Sequence, residues 1–137
     1  MKALSLLQPW ASLVIMGAKK IETRSWQTPF RGDLLIHASF GKKGGILVSE
    51  APFKKYIKKF ETLPFGAIIG KVILEDIIPV NELLLSQSVL ANLTLEEKAF
   101  GDYGKGRYAW ILSEPEAFNE IIPVRGTLGL WNFELCE

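Results

Sequence analysis

Lys19, Glu22 and Arg24 fall within six residues of one another, in a run (residues 17–24) that reads Gly-Ala-Lys-Lys-Ile-Glu-Thr-Arg. An ammonium, a carboxylate and a guanidinium this close allow two readings. They can solvate a turn, where an exposed ion pair contributes about 0–1 kcal/mol. They can also floor a polar site. There Arg24 would offer a planar fork to a phosphate or a base edge. Glu22 would orient that fork or accept from an amino group. Lys19, if buried, would be a candidate base or nucleophile activator. Residues 20–26 alternate, with Ile21, Thr23 and Ser25 on one face and Glu22, Arg24 and Trp26 on the other. Glu22 and Arg24 therefore share a strand face. Lys19 has the wrong parity and joins them only if the chain after Gly17 is still loop.

Other polar residues carry weaker signals. His37 is the only histidine and lies in a run of Leu and Ile, which reads first as a hydrogen-bonded core residue. Ser39 is two residues on, but no third member of a triad is recognisable. Gln8 and Trp10 flank Pro9 where a helix starts, and free N–H groups there could receive a phosphate or carbonyl. Trp10 reads equally as core or as a stacking platform. Lys54, Lys55, Lys58 and Lys59 form a stripe that is either a solvated face or a phosphate-tracking patch, with Lys42 and Lys43 nearby. Gly104-Lys105-Gly106-Arg107 is a basic loop that could touch phosphates, and it lacks the ending of a Walker loop. Such contacts give affinity without sequence choice.

These residues need elements to hold them. Residues 3–7 read as a buried strand. A helix follows from Pro9, with Trp10, Leu13 and Val14 at helical spacing and Gly17 as its stop. Strands are expected at 20–26 and 33–39, with a turn at 29–32 between them and a flexible loop at 42–45. Residues 52–60 read as an amphipathic helix with Phe53, Tyr56, Ile57 and Phe60 inward. A long strand at 67–80 is rich in β-branched residues. Asn81 can cap a helix to about Ser88, and Thr94-Leu95-Glu96-Glu97 is a capping box opening a helix to Phe100. Strands at 107–112, 120–124 and 129–135 complete the chain. Strands in clusters, rather than in strict alternation with helices, favour an α+β fold: a small mixed barrel of about six strands with short helices on its rim.

The chain has 137 residues and a net charge of +1. That length suits a single domain, 1–137, with a core of its own. The charge supplies no global field for nucleic acid, so any such binding needs a local patch. One cysteine, Cys136, cannot close an intramolecular disulfide. One cysteine with one histidine does not suggest a structural zinc site. No disulfide-linked partner, cofactor or metal is expected, and a reducing, cytoplasmic location is favoured. The apolar start is broken by Gln8-Pro9 and does not read as a leader. No stretch reaches the roughly 20 apolar residues of a membrane span.

Ordered blocks along the chain resemble the ASCH family of PUA-like barrels. They are the Gly-x-Lys-x-x-Glu-x-Arg motif at 17–24, Ala3 to Leu13, Glu22-x-Arg24-Ser25-Trp26, Phe30-Arg31-Gly32 and Leu34 to Ser39. Further on come Gly66 to Gly70, Tyr108-Ala109-Trp110, Pro123 to Gly126 and Gly129-Leu130-Trp131. The resemblance covers nearly the whole chain, least well at 40–62 and 81–100. It implies a PUA-like β-barrel with a cleft beside the motif, and a ligand that is RNA or nucleotide-like. It also suggests Arg125 as a cation at the cleft. One branch of the family hydrolyses the acetyl amide of N4-acetylcytidine, and another is described as a metal-dependent ribonuclease. Against the amidohydrolase branch, Lys19 matches its lysine, while Glu22 stands where that branch has a threonine nucleophile. Glu97 falls in a stretch similar to its Thr-Leu-x-Glu, which makes Glu97 a candidate general acid or base. The replaced threonine turns the expectation toward a binding module. Its ligand-binding residues would be Gln8, Trp10, Lys19, Glu22, Arg24, His37 and Arg125. A small hydrolase using Lys19, Glu22 and Glu97 is the alternative.

Overall fold

Two long strands, β4 (Ala67–Pro79) and β5 (Tyr108–Pro123), form the spine of the molecule and pair antiparallel along most of their length. Their β-branched and aromatic residues suit a half-buried pleated surface. The computed structural model describes residues 1–85 and 93–135. Four shorter strands extend the spine: β1 (Lys2–Leu6), β2 (Ile21–Arg24), β3 (Gly32–Ala38) and β6 (Leu130–Asn132). The order across the sheet is β2-β5-β4-β3-β1-β6. The pair β1 and β3 is parallel and every other pair is antiparallel. The result is the expected α+β class: a mixed six-stranded sheet curved into a half-barrel, with short helices on its rim.

Among the described residues the helices are α1 (Trp10–Ile15), α2 (Phe53–Tyr56), α3 (Val80–Leu85) and α4 (Leu95–Phe100). No helix among the described residues is long and apolar enough to cross a membrane. Ala11, Val14 and Ile15 of α1 pack onto Leu4, Leu34, Ile36, Val72 and Trp110. On the opposite sheet face Ala3, Leu35 and Ile68 are covered by Phe118, Ile122 and Trp131. Alternation along β1 and β3 sends Ser5 and His37 to that second face.

Three local expectations are corrected. The two strands expected at 107–112 and 120–124 are one strand, β5. Pro115, between the two expected strands, sits in a bulge: Ile73 pairs with Ser113 while Lys71 pairs with Glu116, leaving one extra residue on β5. A bulge tolerates a residue without an N–H. Helix 52–60 shrinks to a single turn, and Ile57 and Lys59 are extended before a 3₁₀ turn at Phe60–Thr62. Lysines four apart repel along a helix and no compensating acids stand among them. Burial of Phe53, Ile57 and Phe60 nonetheless follows the expected inner stripe. The loop at 42–45 is not free either, since Lys43–Leu47 is a 3₁₀ turn. It is pressed so close that a Cβ on Gly44 would sit 2.1 Å from the Gln8 carbonyl oxygen. Residues 86–88 of the helix expected from Asn81, and Cys136, lie outside the described residues.

Candidate functional site

Gly17 ends α1 in the left-handed region, at φ +84°, a conformation open to glycine at little cost. The chain then folds back, and the Lys19 N–H donates to the Leu13 carbonyl at 3.0 Å. Residues 17–20 are thus still loop, and the fold-back turns Lys19 inward to 1% exposure. Its ammonium donates to the Ile21 carbonyl and lies 3.3 Å from Glu22 Oε1. Glu22 Oε2 accepts from Arg24 Nη1 at 3.2 Å. Lysine holds carboxylate and carboxylate holds guanidinium, in a short relay from the interior to the surface. Arg24 also lies over the Trp26 ring, 5.7 Å from its centroid. It is partly exposed, and its remaining N–H groups have no partner among the described residues.

A cleft of about 660 Å³ opens where this relay surfaces. Glu22, Thr23 and Arg24 of β2 form one wall, and Trp10, Phe53 and Phe100 form another. The aromatic wall is rigid: Trp10 meets Phe53 edge-on at 6.2 Å, Phe53 meets Phe100 at 5.2 Å, and Trp10 Nε1 donates to the Phe100 carbonyl at 2.7 Å. The far side is the loop after α4. Thr23 Oγ1 accepts from the Asp102 N–H at 3.0 Å, and the Thr23 carbonyl accepts from Arg107 Nη2 at 2.9 Å. Arg107 also donates to the Asp102 carbonyl at 3.2 Å.

Glu97 is buried and does not line the cleft. It accepts the backbone N–H groups of Lys20 and Ile21 at 3.0 Å each. Thr94 caps α4 by accepting from the Glu97 N–H at 3.0 Å. Half of the capping box therefore forms, and the freed carboxylate fixes the start of β2 instead. Beside it Tyr103 has a buried hydroxyl with no partner among the described residues. Burial first, then the Glu97 and Glu22 carboxylates, push its pKa well above the usual phenol value.

The remaining candidates disperse. Gln8 is fully buried, its amide bonded to Ser12 and to the Pro64 carbonyl. The first α1 N–H groups are taken by Leu7, Gln8 and Pro9. His37 bridges Ser5 Oγ at 3.0 Å and the Val124 carbonyl at 2.7 Å, and with Arg125 it borders a second, smaller pocket. Lys54, Lys55 and Lys58 line a separate groove with Glu96, while Lys59 and Lys105 are simply exposed. Of the basic candidates away from the motif, Arg107 lines the main cleft. Sequence reasoning missed Thr23, placed by parity on the other face. β2 is an edge strand, so a residue of either parity can border the open side. Asp102 and Phe100 were missed because only tertiary packing brings α4 to the motif.

The family model for the ASCH domain matches residues 4–122. The chain belongs to the ASCH family. Activating signal cointegrator 1 of Homo sapiens is 31% identical over 140 residues, covering 96% of this ASCH chain and 22% of its own length. The Mus musculus protein of that name is 28% identical over 137 residues, with the same coverage. The chain thus spans about a fifth of these relatives. Among solved structures, an ASCH protein from Zymomonas mobilis aligns with a TM-score of 0.49 at 23% identity, covering 85% of this chain and 68% of that one. A point mutant of that protein gives 0.50 at 22% identity, covering 90% and 72%. Likeness at this level concerns the fold alone.

Proposed function

We propose that this ASCH domain, as one unit over residues 1–137, is a binding module whose cleft takes a nucleotide or an exposed RNA base. The relay Lys19–Glu22–Arg24 carries the reading. Lys19 offsets the charge of Glu22 from below, so Arg24 presents an uncancelled positive charge with its geometry fixed on two sides. A pre-oriented guanidinium suits a phosphate or the acceptor edge of a base. Arg107, paired with the Asp102 carboxylate at 3.6 Å, adds a second guanidinium across the cleft, and Trp10 and Phe53 supply apolar surface for a planar ring. Aromatic walls beside a basic groove fit single-stranded binding, where bases stack and phosphates pair. A hydrolase gains no support from the geometry. Lys19 and Glu22 are paired with each other, and Glu97 is committed to backbone N–H groups.

Fluorescence anisotropy with labelled single-stranded RNA tests the proposal. Affinity should fall as salt rises, and Arg24→Ala should weaken binding about tenfold or more, since charge-assisted bonds are worth about 1.5–3 kcal/mol. The absence of RNA or nucleotide binding at low salt would overturn it.

A further inference from the structure

The main cleft does not end at β2. Ser5 and Ser39 border it, and both also border a second pocket of about 280 Å³. The two spaces therefore adjoin at the ends of β1 and β3, with these two serines between them. The second pocket continues past His37, Phe40, Arg125 and Thr127. Its floor is satisfied and stiff. His37 Nε2–H donates to the Val124 carbonyl, which leaves Nδ1 to accept from the Ser5 hydroxyl, and Ser5 Oγ accepts from Trp131 Nε1 at 3.2 Å. This network pins the segment that carries Arg125 against the sheet.

The walls are less easily explained as structure. Phe40 is 66% exposed. Its ring lies against Gly66, where even a Cβ would approach Phe40 Cζ to 2.1 Å. One side of the ring is thus held on backbone while most of its surface faces solvent. Arg125 is exposed beside it and makes no ion pair among the described residues. A fixed open aromatic surface next to a free guanidinium is the pairing that holds successive nucleotides of a single strand, by stacking and by phosphate contact. At 280 Å³ the pocket falls just below the roughly 300 Å³ of the smallest sites for drug-sized ligands, room for a planar base with its sugar in solvent.

We propose that this second pocket is a subsite for the nucleotide next to the one held in the main cleft: Phe40 stacks its base and Arg125 meets the intervening phosphate. It rests on the nucleotide-binding reading above and adds to it that the natural ligand is a strand rather than an isolated nucleotide. The test compares, by titration calorimetry, whichever of hexaadenylate, hexacytidylate and hexauridylate the protein binds best with the matching mononucleotide. Phe40→Ala and Arg125→Ala should each weaken the hexamer at least about fivefold, the lower range for a lost stacked base, and leave the mononucleotide within twofold. Phe40→Trp should restore hexamer affinity, which a merely structural role for the ring would not predict. Hexamer affinity unchanged in both alanine variants, or equal loss for hexamer and mononucleotide, would overturn the subsite and leave the main-cleft reading standing. A wild-type protein that binds none of these ligands at low salt would overturn both.

Discussion

Glu97 shows how a residue's chemistry follows from its neighbours rather than its motif. A carboxylate free in a cleft could move protons, whereas one accepting from two consecutive backbone N–H groups holds a strand in place. Charge-assisted bonds of this kind contribute about 1.5–3 kcal/mol. Glu97→Gln should therefore destabilise the fold by about 2 kcal/mol in urea unfolding, and Thr94→Ala by about 1 kcal/mol through loss of the helix cap. Equal stability of Glu97→Gln and wild type would refute the positioning role. Tyr103 calls for the opposite expectation. A buried hydroxyl without a partner costs about 1–3 kcal/mol. Tyr103→Phe should be neutral or raise stability by up to about 1 kcal/mol, worth about 3–5 °C in Tm. A lower Tm would mean that the hydroxyl is satisfied in solution.

Short elements form the cleft, and side chains rather than helix propensity join them. α2 is a single turn, tied to α4 through Glu96. Tyr56 donates to Glu96 Oε2 at 2.5 Å and Lys55 to Oε1 at 3.0 Å. Those bonds, the tyrosine's first, hold the Glu96 carboxyl below its usual range. The folded-state pKa is lower than the unfolded one, so this staple contributes above the ordinary carboxylate pKa and is lost as pH falls through the depressed value. Tyr56→Phe should move the Glu96 titration upward in carbon-detected NMR. The stability gap between wild type and that variant should close as pH drops below about 4. An unshifted Glu96 would show that the tyrosine bond does not form in solution. At this scale the sequence was informative where a signal is local. Gly17 as helix stop, the Thr94 cap, the inward Phe53, Ile57 and Phe60, and the Leu and Ile runs of β1 and β3 all depend on near neighbours. It was silent where tertiary contacts decide. Residues 107–112 and 120–124 read as two strands until β4 pairs with both, Glu97 reads as a cap until β2 arrives, and Phe40 has no signal until Gly66 lies beneath it.

Across the whole molecule the charges nearly cancel, with a net of +1, so ligand attraction depends on where a few cations sit. Two basic regions compete for that role and lie apart. Arg24, Arg107 and Arg125 line the two adjoining pockets at the ends of β1 and β3, whereas Lys54, Lys55 and Lys58 line a separate groove with Glu96. Each region holds a cation that already has an acidic partner, Lys55 with Glu96 and Arg107 with Asp102. Salt dependence separates them, because each phosphate neutralised on a single strand contributes about −0.7 to the slope of log K against log salt. Two to three contacts along the arginine-lined pockets give a slope of about −1.4 to −2. Replacing Lys54, Lys58 and Lys59 together by alanine should leave that slope unchanged, while Arg125→Ala should reduce its magnitude by about 0.7. Binding titrations of single-stranded RNA between low and moderate salt measure both. If the lysine variant flattened the slope and the arginine variant did not, the strand would run along the α2 face, and the cleft at the motif would hold at most an isolated nucleotide.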